Sequence, residues 1–435
     1  MSPVILSFLF FLSLFLLIGV SSALRRQKNA EDYLVAGRSV GPWLSALSAV
    51  ATNNSGFMFV GLIGATYSVG ISSIWIMVGW IAGDYLAWLF AHRRLRELSG
   101  EVRANSFPAV LSLTRRTAGV NNEGQARLPA VLGGLVILIF LGVYAAAQLQ
   151  AGSKALHVLF GWVYAVGATL GAGIIAAYSF SGGIRASIWT DAAQSVVMLF
   201  SMALLFLAAL QATGGPGGLW TSLAAIDPAL TNWSPNALVY GFPVYFLSWI
   251  AAGLGVVGQP HVMVRFMAMR SPDDMPAARR IYFSWYILFT GLAIAVGLAC
   301  RVLLPETSDF DSELALPSLT HQLLPEILVG LTLAGLFAAT MSTADSQVLS
   351  CSAALSHDLV PGLGRSYAGV KAGTLTIAAL VYLFALFGPD SVFQLVVDAW
   401  AALASALGPL LVIQILKQPV GARTASAMIA TGMGV

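Results

Sequence analysis

Charged residues are scarce in this chain of 435 residues, of which only 9% are Asp, Glu, Lys or Arg while 58% are hydrophobic. Soluble domains carry about 25% charged residues. A core in water cannot absorb this much apolar surface, so the low charge excludes an ordinary soluble protein and places much of the surface in lipid. The net charge of +3 gives no strong attraction to nucleic acid, and we expect no nucleic-acid partner.

Cysteine is also scarce, because the chain has only two, Cys300 and Cys351. Two cysteines in apolar surroundings are too few for a disulfide framework or a metal cluster. The dipeptide Gly-Lys never occurs, which excludes the phosphate-binding P-loop, and the HExxH and CxxC motifs are absent as well. The sequence therefore predicts that the chain is not an enzyme and does not hydrolyse ATP by itself.

What the sequence does have is long apolar runs, rich in Leu, Ala and Gly and without the alternation of barrel strands. They predict an all-α integral membrane protein. The first run is not preceded by basic residues, as a cleaved signal would be, so we expect it to be retained. A last run begins near Thr424 and stops at Val435, which indicates a truncated or short helix. The predicted spans are 3–22, 41–67, 71–92, 128–150, 157–178, 187–211, 238–260, 281–303, 323–355, 367–387 and 393–416.

The loops between these spans divide by charge. If the spans alternate in direction, every Lys and Arg except Lys154 and Arg301 falls in loops on one side. Acidic residues mark the other side: Asp227, Glu306, Asp309, Asp311, Glu313 and Asp390. Because positively charged loops stay in the cytoplasm, this division predicts that the N-terminus is outside.

Two predicted spans contain segments that suit a membrane helix poorly. Residues 51–56 place four polar side chains near mid-membrane, and residues 253–260 combine glycines with a proline. Such residues free backbone groups, which at membrane depth persist only where they line a cavity in the protein. One kink alone would mean little, since Gly and Pro are common in membrane helices. Here each break opens a block of five spans, 41–211 and 238–416, which is typical of a transporter with its site at the midplane.

The ninth predicted span carries a hydroxylated face. Ala339, Ser342, Thr343 and Ser346 have the spacing of residues on one side of a helix. Hydroxyl and carbonyl oxygens are the ligands that hard cations prefer, so this face next to a broken helix predicts a sodium site. The alternative is that these hydroxyls bond only to carbonyls of their own helix. Asp345, an acid within the same span, favours an ion path.

Other polar residues are ambiguous. Asp191 could join the acid of the ninth span, or it could be an ordinary carboxylate at a helix start. Asp84, in the third span, could be functional or a buried structural acid. The five histidines show no metal-ligand spacing, and His261, directly after the second break, is expected to serve packing.

Several of these residues belong to stretches that resemble the sodium/solute symporter family, and its sodium/proline symporter branch in particular. The stretches follow the family order and spread over most of the chain. They are Asp32 to Ser39 with Gly41-Pro42-Trp43, Ala46 to Gly56, Gly258-Gln259-Pro260-His261 with Arg265 to Ala268, Met341-Ser342-Thr343, and Tyr178 to Gly183 leading to Trp189-Thr190-Asp191.

The resemblance implies a LeuT-type five-plus-five inverted repeat with an extra N-terminal transmembrane helix. Residues 1–40 would form the extra helix and its loop, 41–211 the first repeat, 238–416 the second, and 417–435 the start of a further, truncated helix, all within one domain. It also implies alternating access in the lipid bilayer of a bacterial-type plasma membrane. Na+ would be the coupling ion and the solute a small organic molecule, such as the amino acid proline. It does not fix the oligomeric state, and a monomer would suffice for transport.

The resemblance also assigns residues to sites. The sodium site would use the carbonyls of Ala51, Asn54 and Ala339 and the hydroxyls of Ser342 and Thr343. A second cation site, found in some relatives, would use Asp191, Asp345 and Ser346. The solute would bind between the two breaks, near Asn53, Ser55, Gly56, Ala252, Val256, Gln259 and Pro260.

The sequence differs from the proline branch at three of these positions. Asn53 stands where that branch has an aspartate, and Ala252 and Val256 stand where it has a Trp and a Tyr near its substrate, whereas Pro260 matches. The solute pocket is therefore expected to be reshaped. Two alternatives remain open: a proton-coupled or sodium-independent carrier, suggested by Asn53 and Asp345, and the membrane sensor module of a signalling protein.

Overall fold

The apolar runs fold into helices, because lipid offers no hydrogen-bond partners to an open backbone. The computed structural model describes residues 2–22, 24, 27, 29–114, 124–236, 238–304, 310–388 and 391–434. The helices of the first half are α1 (Pro3–Ser22), α2 (Ala30–Val35), α3 (Pro42–Gly56), α4 (Leu62–Val69), α5 (Ile74–Phe90), α6 (His92–Glu101), α7 (Phe107–Leu111), α8 (Arg127–Val136), α9 (Gly142–Phe160) and α10 (Tyr164–Ala212). The strands β1 (Leu113–Thr114) and β2 (Gly124–Gln125) form a short antiparallel ladder.

The second half continues in the same way. Its helices are α11 (Gly215–Ile226), α12 (Gly241–Leu254), α13 (Pro260–Met267), α14 (Met275–Leu303), α15 (Ala315–Leu323), α16 (Glu326–Ala353), α17 (Tyr367–Phe387), α18 (Val392–Ile415) and α19 (Ala422–Met433). Single π-helical turns join α3 to α4 and α8 to α9, and another extends α16 to Leu359. Such turns are frequent at functional sites.

Within the described part of the chain, nine helical segments are long and apolar enough to cross a membrane. Two of the predicted spans form one of these segments, Pro42–Phe90, and the span predicted at 157–178 is the shorter apolar helix Tyr164–Ala177. The predicted loop at 179–186 is helical instead. There α10 is interrupted only at Gly183, whose φ of 58° suits glycine and whose Cα lies against Tyr33.

The charged loops that were predicted to share one side do meet. Arg38 donates to the carbonyl of Ala104 over 2.7 Å, and Arg96 donates to the carbonyl of Met269 over 2.5 Å. In α9, near the other end of the apolar segment Arg127–Val158, Lys154 lies between two acids, 3.0 Å from Asp311 and 2.7 Å from Glu313.

Some residues used in the sequence predictions lie outside the described residues. They are Arg25, Arg26, Lys28, Arg115, Arg116, Glu306, Asp309, Asp390 and Val435.

Glycine allows α5 and α12 to pack with their backbones in contact. A Cβ atom on Gly253 would lie 2.0 Å from the carbonyl oxygen of Trp80, and one on Gly83 would lie 2.0 Å from that of Ile250. Side chains of any size are therefore excluded from this contact, which supports the helix that leads into the second break.

Gly253→Ala should for this reason lower the thermal unfolding midpoint of the detergent-purified protein. Forcing an extra carbon into a close-packed contact costs about 1–3 kcal/mol. Gly291→Ala is the matched control, because a Cβ there would meet no atom of the described residues within 4 Å. Equal midpoints for the two variants would contradict the packing argument.

Candidate functional site

The first break lies at the end of α3. Ser55 has φ 46° and ψ −177°, outside the helical region, and Gly56 follows it. A non-glycine residue in this conformation is strained and persists only when the surroundings hold it. Here Gln148 of α9 does so, because its Oε1 accepts the Gly56 N–H over 2.7 Å. The break predicted at 51–56 is confirmed in the structure.

Two hydroxyl groups of α16 face the carbonyls just before this break. The Ser342 hydroxyl lies 3.2 Å from the carbonyl oxygen of Ala51, and the Thr343 hydroxyl lies 2.9 Å from that of Thr52. Both hydroxyls also lie 3.1 Å from the carbonyl oxygen of Ala339. Both side chains are fully buried.

Five oxygens from two helices therefore converge away from water, in the kind of arrangement that suits a hard cation. The hydroxyls can turn their protons away and offer lone pairs to the ion. This geometry goes beyond the alternative of bonds within one helix, because Ser342 and Thr343 also reach α3.

One predicted sodium ligand has a different partner. The carbonyl of Asn54 accepts the N–H of Phe57 beyond the break, and the Asn54 amide donates to the carbonyl of Val50 over 2.7 Å. The carbonyl oxygen of Thr52, which was not predicted as a sodium ligand, lies 2.9 Å from the Thr343 hydroxyl.

The second break separates α12 from α13. Residues Gly255–Gly258 form a 3₁₀ turn, Gln259 is extended with φ −99° and ψ 97°, and Pro260 begins α13. Proline suits this first helical position because its missing N–H would have no partner there. The break predicted at 253–260 is confirmed as well.

Helix α18 holds the second break in place. Trp400 donates to the carbonyl of Ala252 over 2.8 Å, and Gln259 donates to the carbonyl of Trp400 over 3.0 Å. Ala252 also lines a cavity of about 550 Å³ beside Trp80 and Trp400, whereas Val256 is fully buried. Of the residues predicted to bind the solute, Ala252 and Gln259 therefore bond to α18, and Val256 lies in the core.

Tyr144 of α9 connects the two breaks. Its hydroxyl lies 3.4 Å from Ser55, and its ring packs edge-on against His261, with 5.5 Å between the ring centroids. On the other side of the first break, Asn53 donates to the hydroxyl of Tyr282 over 2.6 Å. Two of the predicted solute residues, Asn53 and Ser55, thus face aromatic hydroxyl groups.

The residues predicted to form a second cation site do cluster, but around an arginine. Arg265 of α13 lies 3.0 Å from Asp191 and also donates to Ser346. Ser346 in turn lies 3.0 Å from a carboxylate oxygen of Asp345. All four residues are fully buried. A guanidinium group therefore already supplies a positive charge where the sequence predicted an ion.

This architecture can be compared with known proteins. The sodium:solute symporter family matches residues 33–432. The chain belongs to that family. It is accordingly a sodium-coupled symporter of small organic solutes and not an enzyme, in agreement with the two breaks and the buried oxygens of α3 and α16.

Curated relatives within the family cover nearly the whole symporter. The high-affinity proline transporter of Bacillus subtilis is 32% identical over 409 residues, which are 92% of this chain and 84% of the relative. The sodium/proline symporter of Escherichia coli is 32% identical over 428 residues, covering 95% of this chain and 83% of the relative.

Solved structures agree on the fold. A Na+-coupled sialic acid symporter, in a substrate-bound outward-open state, superposes with a TM-score of 0.78 at 20% identity, over 95% of this chain and 86% of that one. A nucleobase-cation-symport-1 family transporter in a closed conformation gives a TM-score of 0.60 at 17% identity, over 92% and 91% of the two chains. The LeuT-type fold that was predicted for this symporter is confirmed.

Three residues near the symporter's breaks were missed or undervalued from the sequence. Arg265 was noted as part of a family stretch and was wrongly counted among the cations of the basic loops, whereas it is buried in α13. An arginine five residues after a membrane-depth proline is itself unusual. Tyr144 and Tyr282 gave no signal, because aromatic residues in apolar helices usually serve packing.

Proposed function

We propose that the sodium ion binds at the oxygens of Ala51, Ala339, Ser342 and Thr343, with the carbonyl of Asn54 or Thr52 completing the shell. The observation that supports this is the position of the two α16 hydroxyls, 3.2 Å from Ala51 and 2.9 Å from Thr52. An ion held between α3 and α16 would draw the broken helix against the unbroken one. Sodium entry would supply about 2.3 kcal/mol per charge for each 100 mV of membrane potential, besides the concentration term.

The solute that we propose is proline or a similar small amino acid, bound between the breaks. The proposal rests on the two proline-transporting relatives and on the polar surroundings of Asn53, Ser55 and Gly56. Gln259 and Pro260 would form the opposite wall. Ala252 and Val256, smaller than the Trp and Tyr of the proline branch, would leave room for a different or larger side group.

Uptake of radiolabelled proline should therefore rise when sodium is present. Cells without their own proline carriers would express the chain, and uptake would be compared in sodium and in choline at two pH values. A pH dependence without a sodium dependence would point to proton coupling. Unlabelled amino acids, sugars and carboxylates added as competitors would identify the preferred solute, and competition by sugars alone would refute an amino acid.

We also propose that residues 41–211 and 238–416 are the two inverted repeats in a bacterial-type plasma membrane, with the N-terminus outside. The clustering of Arg38 and Arg96 with carbonyls of neighbouring loops supports one common basic end. The variant Ser2→Cys should react with a membrane-impermeant thiol reagent in intact cells. If it did not react, the N-terminus would lie inside the cell. We propose that a monomer suffices for transport.

A further inference from the structure

Asp84 is a fully buried acid within the membrane helix α5. One of its carboxylate oxygens accepts the hydroxyl of Tyr282 over 2.7 Å, and the other has no hydrogen-bond partner among the described residues. Within the part of the chain that the structure describes, no lysine or arginine is paired with it. An intramembrane acid is costly and by default marks a functional site.

Tyr282 links Asp84 to the first break by hydrogen bonds. Its hydroxyl accepts the Asn53 amide N–H over 2.6 Å while donating to Asp84. A tyrosine hydroxyl has a single proton, and here Tyr282 donates it to the Asp84 carboxyl group. The tyrosine oxygen must then accept from Asn53, which fixes the amide with its nitrogen towards Tyr282.

The other end of the amide is consequently an acceptor without a partner. The Asn53 Oδ1 is buried and has no hydrogen bond to any residue that the structure describes, and Asn53 is only 8% exposed. Leaving a buried acceptor unpaired is unfavourable unless a ligand satisfies it. Asn53 adjoins Thr52 in the chain, and the Thr52 carbonyl lies 2.9 Å from the Thr343 hydroxyl of the proposed sodium site.

We propose that Asp84, acting through Tyr282, orients Asn53 so that its Oδ1 binds a positively charged group at the first break. The ligand is a cation, either sodium or the ammonium group of the solute. Asp84 and Tyr282 are positioning residues, and this inference rests on the proposed solute site.

The test compares the native protein with Asp84→Asn and Tyr282→Phe. Sodium binding is measured on purified protein without solute, and proline KM and kcat are measured in vesicles. Losing one oriented acceptor should weaken cation affinity about tenfold while leaving the rate at saturation near native. Asp398→Asn is the matched control, because this exposed acid of α18 accepts a hydrogen bond from Gln394, one turn away on the same helix. It should leave both affinities unchanged.

Two further arms separate the sources of the cation. Weaker sodium binding without solute identifies sodium. A higher KM for proline with unchanged sodium binding, and with unchanged competition by cyclopentanecarboxylate, which lacks the nitrogen, identifies the ammonium group. The double variant Asn53→Asp/Asp84→Asn moves the carboxylate from position 84 to position 53, next to the proposed cation, and should restore the affinity that Asp84→Asn loses.

The proposal is overturned if Asp84→Asn and Tyr282→Phe fold with native unfolding midpoints and keep both affinities within twofold of native. If Asp84→Asn does not fold, Tyr282→Phe decides alone, because it keeps the carboxylate and the ring and removes only the hydroxyl. If the native protein does not transport proline, the proposed solute fails, and sodium binding by the same variants still decides the role of Asp84.

Discussion

Replacing the hydroxyl of Ser342 or Thr343 by a hydrogen, as in Ser342→Ala and Thr343→Ala, is expected to abolish sodium-stimulated uptake. Each hydroxyl is one of few oxygens that can reach an ion between α3 and α16. The Ser342 hydroxyl lies 3.2 Å from the carbonyl oxygen of Ala51, and the Thr343 hydroxyl lies 2.9 Å from that of Thr52. Losing a hydrogen-bonding group that meets a charge costs about 1.5–3 kcal/mol, which lowers sodium affinity roughly tenfold to more than a hundredfold. Uptake in sodium, compared with uptake in choline, measures the loss.

Matched controls for this prediction lie on the same helix. The hydroxyl of Ser350 bonds to the carbonyl of Ser346 over 2.8 Å, and that of Thr332 bonds to the carbonyl of Leu328 over 3.0 Å. Ser350→Ala and Thr332→Ala should therefore keep native sodium dependence. If Ser342→Ala and Thr343→Ala also kept it, the sodium site would have to lie elsewhere.

The sequence predicted the broken helices because their signals are local. A run of polar residues at 51–56 and a Gly-Pro run at 253–260 weaken a helix whatever surrounds them. The same holds for Ser342 and Thr343, whose spacing places them on one face of any helix. Local chemistry was therefore sufficient to locate the break residues and the hydroxyl groups that lie near them.

The partners of these residues could not be predicted in the same way. Asp84, Tyr282 and Asn53 are far apart in the chain and meet only because three helices pack together. The helical continuation of α10 through residues 179–186 was missed for the same reason, since only the packing of the backbone against Tyr33 shows that Gly183 alone interrupts it. Contacts between distant helices depend on packing, about which a single sequence says little.

Arg265 is the clearest case of a residue whose role depends on packing. Its guanidinium group joins four helices: Nε donates to Ser48 of α3 over 3.2 Å, and Nη2 donates to Ser187 of α10 over 2.9 Å and to Ser346 of α16. The guanidinium group also forms an ion pair with the equally buried carboxylate of Asp191 and so compensates its charge. The second cation site predicted at Asp191, Asp345 and Ser346 therefore stays a prediction in which Arg265 competes with any ion.

Arg265→Leu should destabilise the symporter more than any other single change considered above, and uptake should be lost with the fold. Removing one partner of a buried ion pair leaves an uncompensated charge and costs about 3–5 kcal/mol. The thermal unfolding midpoint of the purified protein measures this loss. Arg265→Lys should have a midpoint between those of the native protein and Arg265→Leu. Lysine keeps the charge but cannot bond to Asp191 and the serines with one planar group.

The double variant Arg265→Leu/Asp191→Leu separates charge from packing. If the cost arises from an unpaired carboxylate, removing Asp191 as well should recover part of the lost stability, since apolar replacements of a buried ion pair are often tolerated. A double variant no more stable than Arg265→Leu would instead assign the effect to the lost bonds with Ser48, Ser187 and Ser346. In that case the arginine acts mainly as a structural link between α13 and the helices around it.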